Sequence, residues 1–116
     1  MRHLVLALLI CVGCKKEAPA PPVDHDTAPP LPAAEIERGQ DACQAYVDKV
    51  CACTAHAAKD ACGLAKALPD ALEVARQVSV SPDSHRVDVL QANDSARKTI
   101  KECIEQTAKL PSLGCP

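Results

Sequence analysis

From residue 34 onward, apolar and polar positions alternate with a period close to that of an α-helix. In AAEIERGQDACQAYVDKVCACTAHAAK, Ile36, Cys43, Val47 and Val50, continued by Thr54 and Ala57 or Ala58, fall three or four apart. That spacing stacks side chains on one helical face. Tyr46 lies beside the stripe and reads as a large core side chain with its hydroxyl at the rim. Gly39 weakens a helix by about 1 kcal/mol relative to alanine, so the firm helix is expected from Asp41. Leu64, Leu68, Leu72, Ala75 and Val78 keep helical spacing, but Pro69 would clash with the preceding turn of an unbroken helix. Pro69 fits the first position of a new helix, with Asp70 and Glu73 in its N-terminal turn. The pattern therefore predicts a short helix or turn near 61–67 and a helix over 69–79. Next, Ser81 as cap, Pro82 as first helical residue and Asp83 beside the exposed amides predict a long helix running to Lys109. Its inner face would carry Val89, Ala96, Ile100, Cys103, Thr107 and Leu110, and Asn93 in the same stripe marks a thin or edge-facing stretch of core. Pro111 and Gly114 close this helix and return Cys115 to the body.

The N-terminus has a different pattern. Met1, Arg2 and His3 precede an unbroken apolar run from Leu4 to Val12. Nine residues rise only about 14 Å as a helix, against the roughly 30 Å of hydrocarbon that a membrane span must cross. A basic start, a short apolar run and small residues at its end read as a secretory signal. Ala18 and Ala20 would suit ordinary cleavage, but that cut leaves Pro21 at the new terminus. Cys11-Val12-Gly13-Cys14 resembles the bacterial lipoprotein signal: Val12 and Gly13 match, and Cys11 stands where leucine is usual. The resemblance implies a signal peptide over 1–13 and diacylglycerol with a palmitate-type fatty acid on Cys14. Lys15 in place of aspartate after the lipidated cysteine implies the outer membrane, facing periplasm or surface. The alternative is a soluble secreted protein.

Six of the ten prolines lie between residues 19 and 32. Proline fixes φ and removes amide donors, so 14–33 is expected to be an extended tether spanning up to about 60 Å. Asp24, His25 and Asp26 interrupt it and read as hydrophilic linker residues before they read as a metal-binding group.

The folded part is then 34–116, with one tyrosine, no phenylalanine and no tryptophan. Burial of aliphatic side chains and alanine by so short a chain roughly balances about 1.5 kcal/mol of ordering entropy per residue, so cross-links are the expected remedy. Eight cysteines less Cys11 and Cys14 leave Cys43, Cys51, Cys53, Cys62, Cys103 and Cys115, an even set suited to disulfides in an oxidising compartment. Zinc held by Cys51, Cys53, His56 and Cys62 is a second possibility, but structural sites usually begin with two to four residues between the first cysteines, and here only Ala52 intervenes. A redox-active Cys-x-Cys is a third. Positions two apart on a helix diverge by about 200°, which suits bridges to two different elements. One of Cys51 and Cys53 is expected to face Cys103 while the other reaches Cys62 or Cys115. Cys43 and Cys51 should not pair along a continuous helix, because about 12 Å of rise separates them and bridged Cα atoms lie within about 7 Å. The remaining pairings stay open. The fold expected is all-α, a small disulfide-bridged bundle of about three helices.

Cys43, Tyr46, Cys51, Pro69, Cys103, Leu113, Gly114 and Cys115 together resemble small exported cysteine-containing all-helical proteins of myxobacteria and their relatives. Those proteins often carry a tryptophan in the long helix, which this chain lacks, and it adds Cys53 and Cys62. The resemblance implies an all-helical fold and no chemistry, and the departure is explained if the added pair forms a third bridge around 53–62.

Little else points to catalysis. A Cys-His pair needs a free thiolate and an oriented imidazole, and an oxidised chain leaves His56 and His85 without one. Glu35 with Glu37, and Glu102 with Glu105, read as solvated helix faces. No glycine-rich phosphate loop, nucleotide fingerprint or HExxH is present. The sequence thus names no catalytic, cofactor-binding or metal-binding residue, and the protein reads as a non-enzyme. Ten Lys and Arg against twelve acidic residues in 34–116, with no aromatic platform, argue against nucleic acid. Two functions are expected from the architecture: a membrane-tethered interaction or structural module with an envelope protein or glycan as partner, or a periplasmic small-ligand or metal-binding protein.

Overall fold

Prolines stand at several of the helix boundaries in the computed structural model, which describes residues 28–116. The signal, Cys14 and the Asp24-His25-Asp26 group lie outside the described residues. Helix α1 runs Ala33–Ala52, α2 His56–Ala65, α3 Ala67–Val80 and α4 Arg86–Lys109, and a 3₁₀ turn over Leu110–Leu113 closes the chain. The three longer helices, α1, α3 and α4, form the bundle, with α2 packed mainly on α1. Among the described residues the fold is all-α, as expected.

Pro32 sets the start of α1: its carbonyl accepts the amides of Glu35 at 2.9 Å and Ile36 at 3.2 Å. The helix thus begins at Ala33, not at Asp41, because Gly39 is buried where α1 crosses its neighbours. A Cβ there would run into Cγ1 and Cδ1 of Ile100 and lie 3.4 Å from Leu72 Cδ2. Packing across that close approach offsets the poor helix propensity of glycine. Its buried stripe is Ile36, Gly39, Cys43, Tyr46 and Val50, so Tyr46 is within the stripe and Val47 at its edge. α1 ends at Ala52, and Cys53 is extended at φ −73° and ψ 131°. Thr54, Ala57 and Ala58 therefore do not continue it; Ala58 is buried from α2.

α2 stops at Ala65, the residue four before Pro69, where the ring would meet the carbonyl of a continuous helix. Only Lys66 separates it from α3. Pro69 is consequently the third residue of α3, not the first, and still lies among the amides that no helical carbonyl could accept. Pro82 also differs from expectation. It follows Ser81 in a turn closed by the Ser84 amide on Ser81 O at 3.2 Å, the second-residue turn position that proline favours. Ser81 ends α3 and does not begin α4. α4 instead starts at Arg86, capped by His85: the His85 side chain accepts the Asp88 amide, and Asp88 Oδ2 accepts the His85 amide at 2.9 Å. This is a capping box with histidine in place of serine or threonine. At the far end Gly114, at φ 83°, turns the chain so that the Cys115 amide reaches Leu110 O at 3.1 Å.

The core has two parts. One gathers Leu31, Ile36, Cys43, Leu72, Ala75, Ala96 and Cys103; the other gathers Tyr46, Val50, Ala58, Ala65, Leu110 and Cys115. Leu68 packs against both and joins them. The body also reaches further back than residue 34, since Ala28 and Leu31 are buried among it.

Candidate functional site

The six cysteines form three disulfides: Cys43–Cys103, Cys51–Cys62 and Cys53–Cys115. Cys51 and Cys53 do send their sulfurs to different elements, α2 and the C-terminal tail, and Cys43 does not pair with Cys51. Neither of them takes Cys103, however, and Cys53 does not take Cys62. Cys103 lies on the inner face of α4 opposite Cys43 of α1, both fully buried, with Cα atoms 4.9 Å apart. Cys53 falls just beyond the end of α1, where the extended backbone carries it to the tail that Gly114 turns back. The zinc set is not assembled, as Cys51, Cys53 and Cys62 are consumed in bridges; among the described residues no three His, Cys, Asp or Glu come together as a metal site.

The carboxylate pairs face solvent. Glu35 accepts from Arg97 at 3.1 Å, Glu102 from Gln106 at 2.7 Å, and Glu105 lies 3.7 Å from Lys101. His56 opens α2 and His85 caps α4, far apart in sequence, and every cysteine among the described residues is in a disulfide.

Two clefts open to solvent lie between the helices. The first, about 430 Å³, lies between α3 and α4, lined by Ala71, Val74, Ala75 and Val78 on one side and by Asp88, Gln91, Ala92 and Ser95 on the other. The second, about 440 Å³, lies between the start of α1 and the end of α3. Its apolar wall is Leu31, Ile36 and Val80, and Glu37, Gln40, Arg76 and Ser79 supply its polar groups. At its edge Glu73 accepts Arg76 Nη2 at 2.6 Å and Nε at 2.8 Å, and Gln77 at 2.9 Å. The hydrogen bonds from Arg76, then from Gln77, hold the Glu73 carboxyl down to about 2. The pair is solvent-facing and organises the rim more than it stabilises the fold.

A smaller cleft of about 170 Å³ exposes an edge of Tyr46 among Leu64, Leu68, Glu102 and Gln106. Burial, then the nearby Glu102 carboxylate, raises the Tyr46 phenol above its usual 10.0. The folded state thus retains this proton more tightly than the unfolded chain. Its contribution to stability is complete below pH 10 and is lost as pH rises beyond it. Tyr46 is the one aromatic residue in the sequence, so phenolate absorbance reports it alone. An alkaline titration should show a midpoint above that of the chain unfolded in denaturant; coincident midpoints would count against the buried placement.

Asn93, which falls in the inner stripe of α4, donates from Nδ2 to Pro29 O at 2.9 Å and fastens the segment before α1. A lone apolar Leu31 between prolines was the sequence signal for this docking. Nothing in the spacing of Glu73, Arg76 and Gln40 announced that they would share a rim with residues of the tether.

Comparison of the chain with protein-family models, with curated proteins and with solved structures gives no match.

Proposed function

We propose that the protein is a membrane-tethered interaction or structural module of a bacterial cell envelope, lipidated at Cys14 and held by a proline-rich tether. The observation that carries this reading is the pairing of all six remaining cysteines within a body of this size, which belongs to oxidising compartments. Among the described residues no helix is long and apolar enough to cross a membrane, so a terminal lipid would be the means of attachment. The body also keeps Leu64, Val74, Val87 and Ile104 more than half exposed, apolar surface of the kind that contacts with a protein or glycan partner use.

Expressed in a bacterium with lipoprotein processing, the chain should fractionate with membranes, with a mass exceeding that of the peptide from residue 14 by the lipid. Cys14→Ser should release it. A Cys14→Ser chain that fractionates and migrates unchanged leaves ordinary secretion as the better reading. The interaction half is tested with that soluble chain, disulfides intact, against envelope extract. Recovery of a defined protein or glycan should be lost when Leu64, Val74, Val87 and Ile104 are replaced by glutamine.

A second reading, a periplasmic small-ligand protein, is favoured by the α1/α3 cleft, whose volume falls within the range of small-molecule sites and whose apolar wall carries a few convergent polar groups. The metal-binding form of that reading has no donor set among the described residues to rest on.

A further inference from the structure

We propose that Cys51–Cys62 is an exchangeable disulfide, a site of thiol–disulfide exchange with a protein dithiol, and that its reduction releases α2 from an otherwise intact body. This inference does not depend on the lipid anchor.

The three bridges lie at different depths. Cys43 and Cys103 are fully buried between α1 and α4, where no thiolate can approach in line with the S–S bond. Cys53 is half-buried and its partner Cys115 is 5 % exposed. Cys51, in the last turn of α1, is exposed, and Cys62 is half-buried. Exchange requires an incoming sulfur to reach one disulfide sulfur and expel the other, so access decides which bridge reacts. Cys51 is the sulfur that an external thiolate can reach.

The element held by this bridge is the one least able to stand alone. α2 has ten residues, below the roughly 12–15 at which an isolated helix becomes even marginal. Ala55 gives it no side-chain cap, its first turn has no acidic residue and its last turn no basic one. Gly63 sits in it with open space where a Cβ would be. Its buried residues are two alanines, Ala58 and Ala65. What lies beneath is far more apolar: Tyr46, Val50 and Leu110 are buried in the same part of the core. With Cys51–Cys62 open, Cys53–Cys115 still fixes the chain before α2, and α3 remains packed on α4 behind it. α2 then becomes a flap between two fixed points.

The exchange balances as follows. A thiolate of the partner attacks Cys51 Sγ, a partner–Cys51 bond forms, and Cys62 sulfur leaves and takes up a proton. The second thiol of the partner loses its proton, attacks the partner sulfur of the mixed disulfide and expels Cys51 as thiol. Two electrons and two protons pass from the partner dithiol to this chain, and the partner leaves as a disulfide.

The test uses the full chain with Cys11→Ser and Cys14→Ser, treated with graded dithiothreitol, quenched by alkylation and mapped by peptide mass. A species labelled only at Cys51 and Cys62 should accumulate about tenfold over any other doubly labelled species, as access-controlled exchange requires. Hydrogen exchange in that species should accelerate over 56–65 while α1, α3 and α4 keep their protection. First labels at Cys53 and Cys115, or all six appearing together, overturn the proposal; so does unchanged protection of 56–65. Glutathione, as a monothiol probe, should be trapped on Cys51, and trapping on Cys62 overturns the assignment of the attacked sulfur. A Cys51→Ala/Cys62→Ala chain should keep the other two bridges and lose the early reduction step, and an early step that persists in it also overturns the proposal.

Discussion

Replacing Cys43 and Cys103 together by alanine is expected to lower the unfolding free energy by about 3.5 kcal/mol or more, since with Cys53–Cys115 in place the crosslink closes a loop of roughly 22 residues through that bridge. For a body of this size, total stability is on the order of 4–13 kcal/mol, so much of it rests on one bond. The bridge also sits at the centre of the larger core, where α1 meets α4 and where Leu72 and Ala96 pack. Its loss leaves two alanines where two sulfurs filled space, and the missing packing adds to the entropic term. The matching change at Cys51 and Cys62, at a separation of 11, should cost nearer 3 kcal/mol at most. Urea or guanidinium unfolding of the two double variants compares them directly. Equal losses, or a larger loss at Cys51 and Cys62, would contradict the placement of Cys43–Cys103 as the central crosslink.

Gly39→Ala should destabilise by up to about 2 kcal/mol, although alanine is the better helix former by about 1 kcal/mol. The sign is decided by the crossing of α1 with α4. The new methyl would occupy the space of Ile100 Cγ1 and Cδ1, and Ile100, being β-branched, has few other rotamers in a helix. Overpacking of this kind costs about 1–3 kcal/mol, more than the propensity gain. Ile100→Ala removes the obstructing atoms, so Gly39→Ala should become neutral or stabilising in that background. A double-mutant cycle by chemical denaturation reads the coupling. Additivity would place the close approach elsewhere.

Gly39 also shows where sequence pattern stops being informative. Propensity alone treats it as a weak point and starts the helix at Asp41; only the meeting of three helices explains a buried glycine inside α1. The break before Pro69 was legible because proline acts on a carbonyl four residues away along the same chain. The start of α4 was not, because Ser81, Pro82 and Asp83 satisfy both a helix cap and a turn, and His85 seldom caps. The exclusion of a Cys43–Cys51 bridge followed from helical rise, but Cys51 and Cys53 diverge for another reason than the helical one expected, since α1 ends at Ala52 and Cys53 is extended. Their partners depended on where α1 ends, which carries Cys53 out of the helix and towards the tail. The candidate clefts were less legible still: the α1/α3 cleft has a wall built from Leu31, a residue the composition assigned to the tether.

The docking of Ala28 and Leu31 onto the body, with Pro29 O fastened to Asn93, also decides how a mechanical load would reach the fold. A pull applied to the preceding chain meets α4 through the Asn93 hydrogen bond and the buried Leu31 before it meets the first turn of α1. The contacts would peel in sequence, Pro29 first and Leu31 next, each at low force. α1 itself would be loaded only afterwards, and then against the Cys43–Cys103 bond, which fixes its midpoint covalently to α4. Under such a load the segment ahead of α1 would yield first, while the bridged helices behind it stay in register.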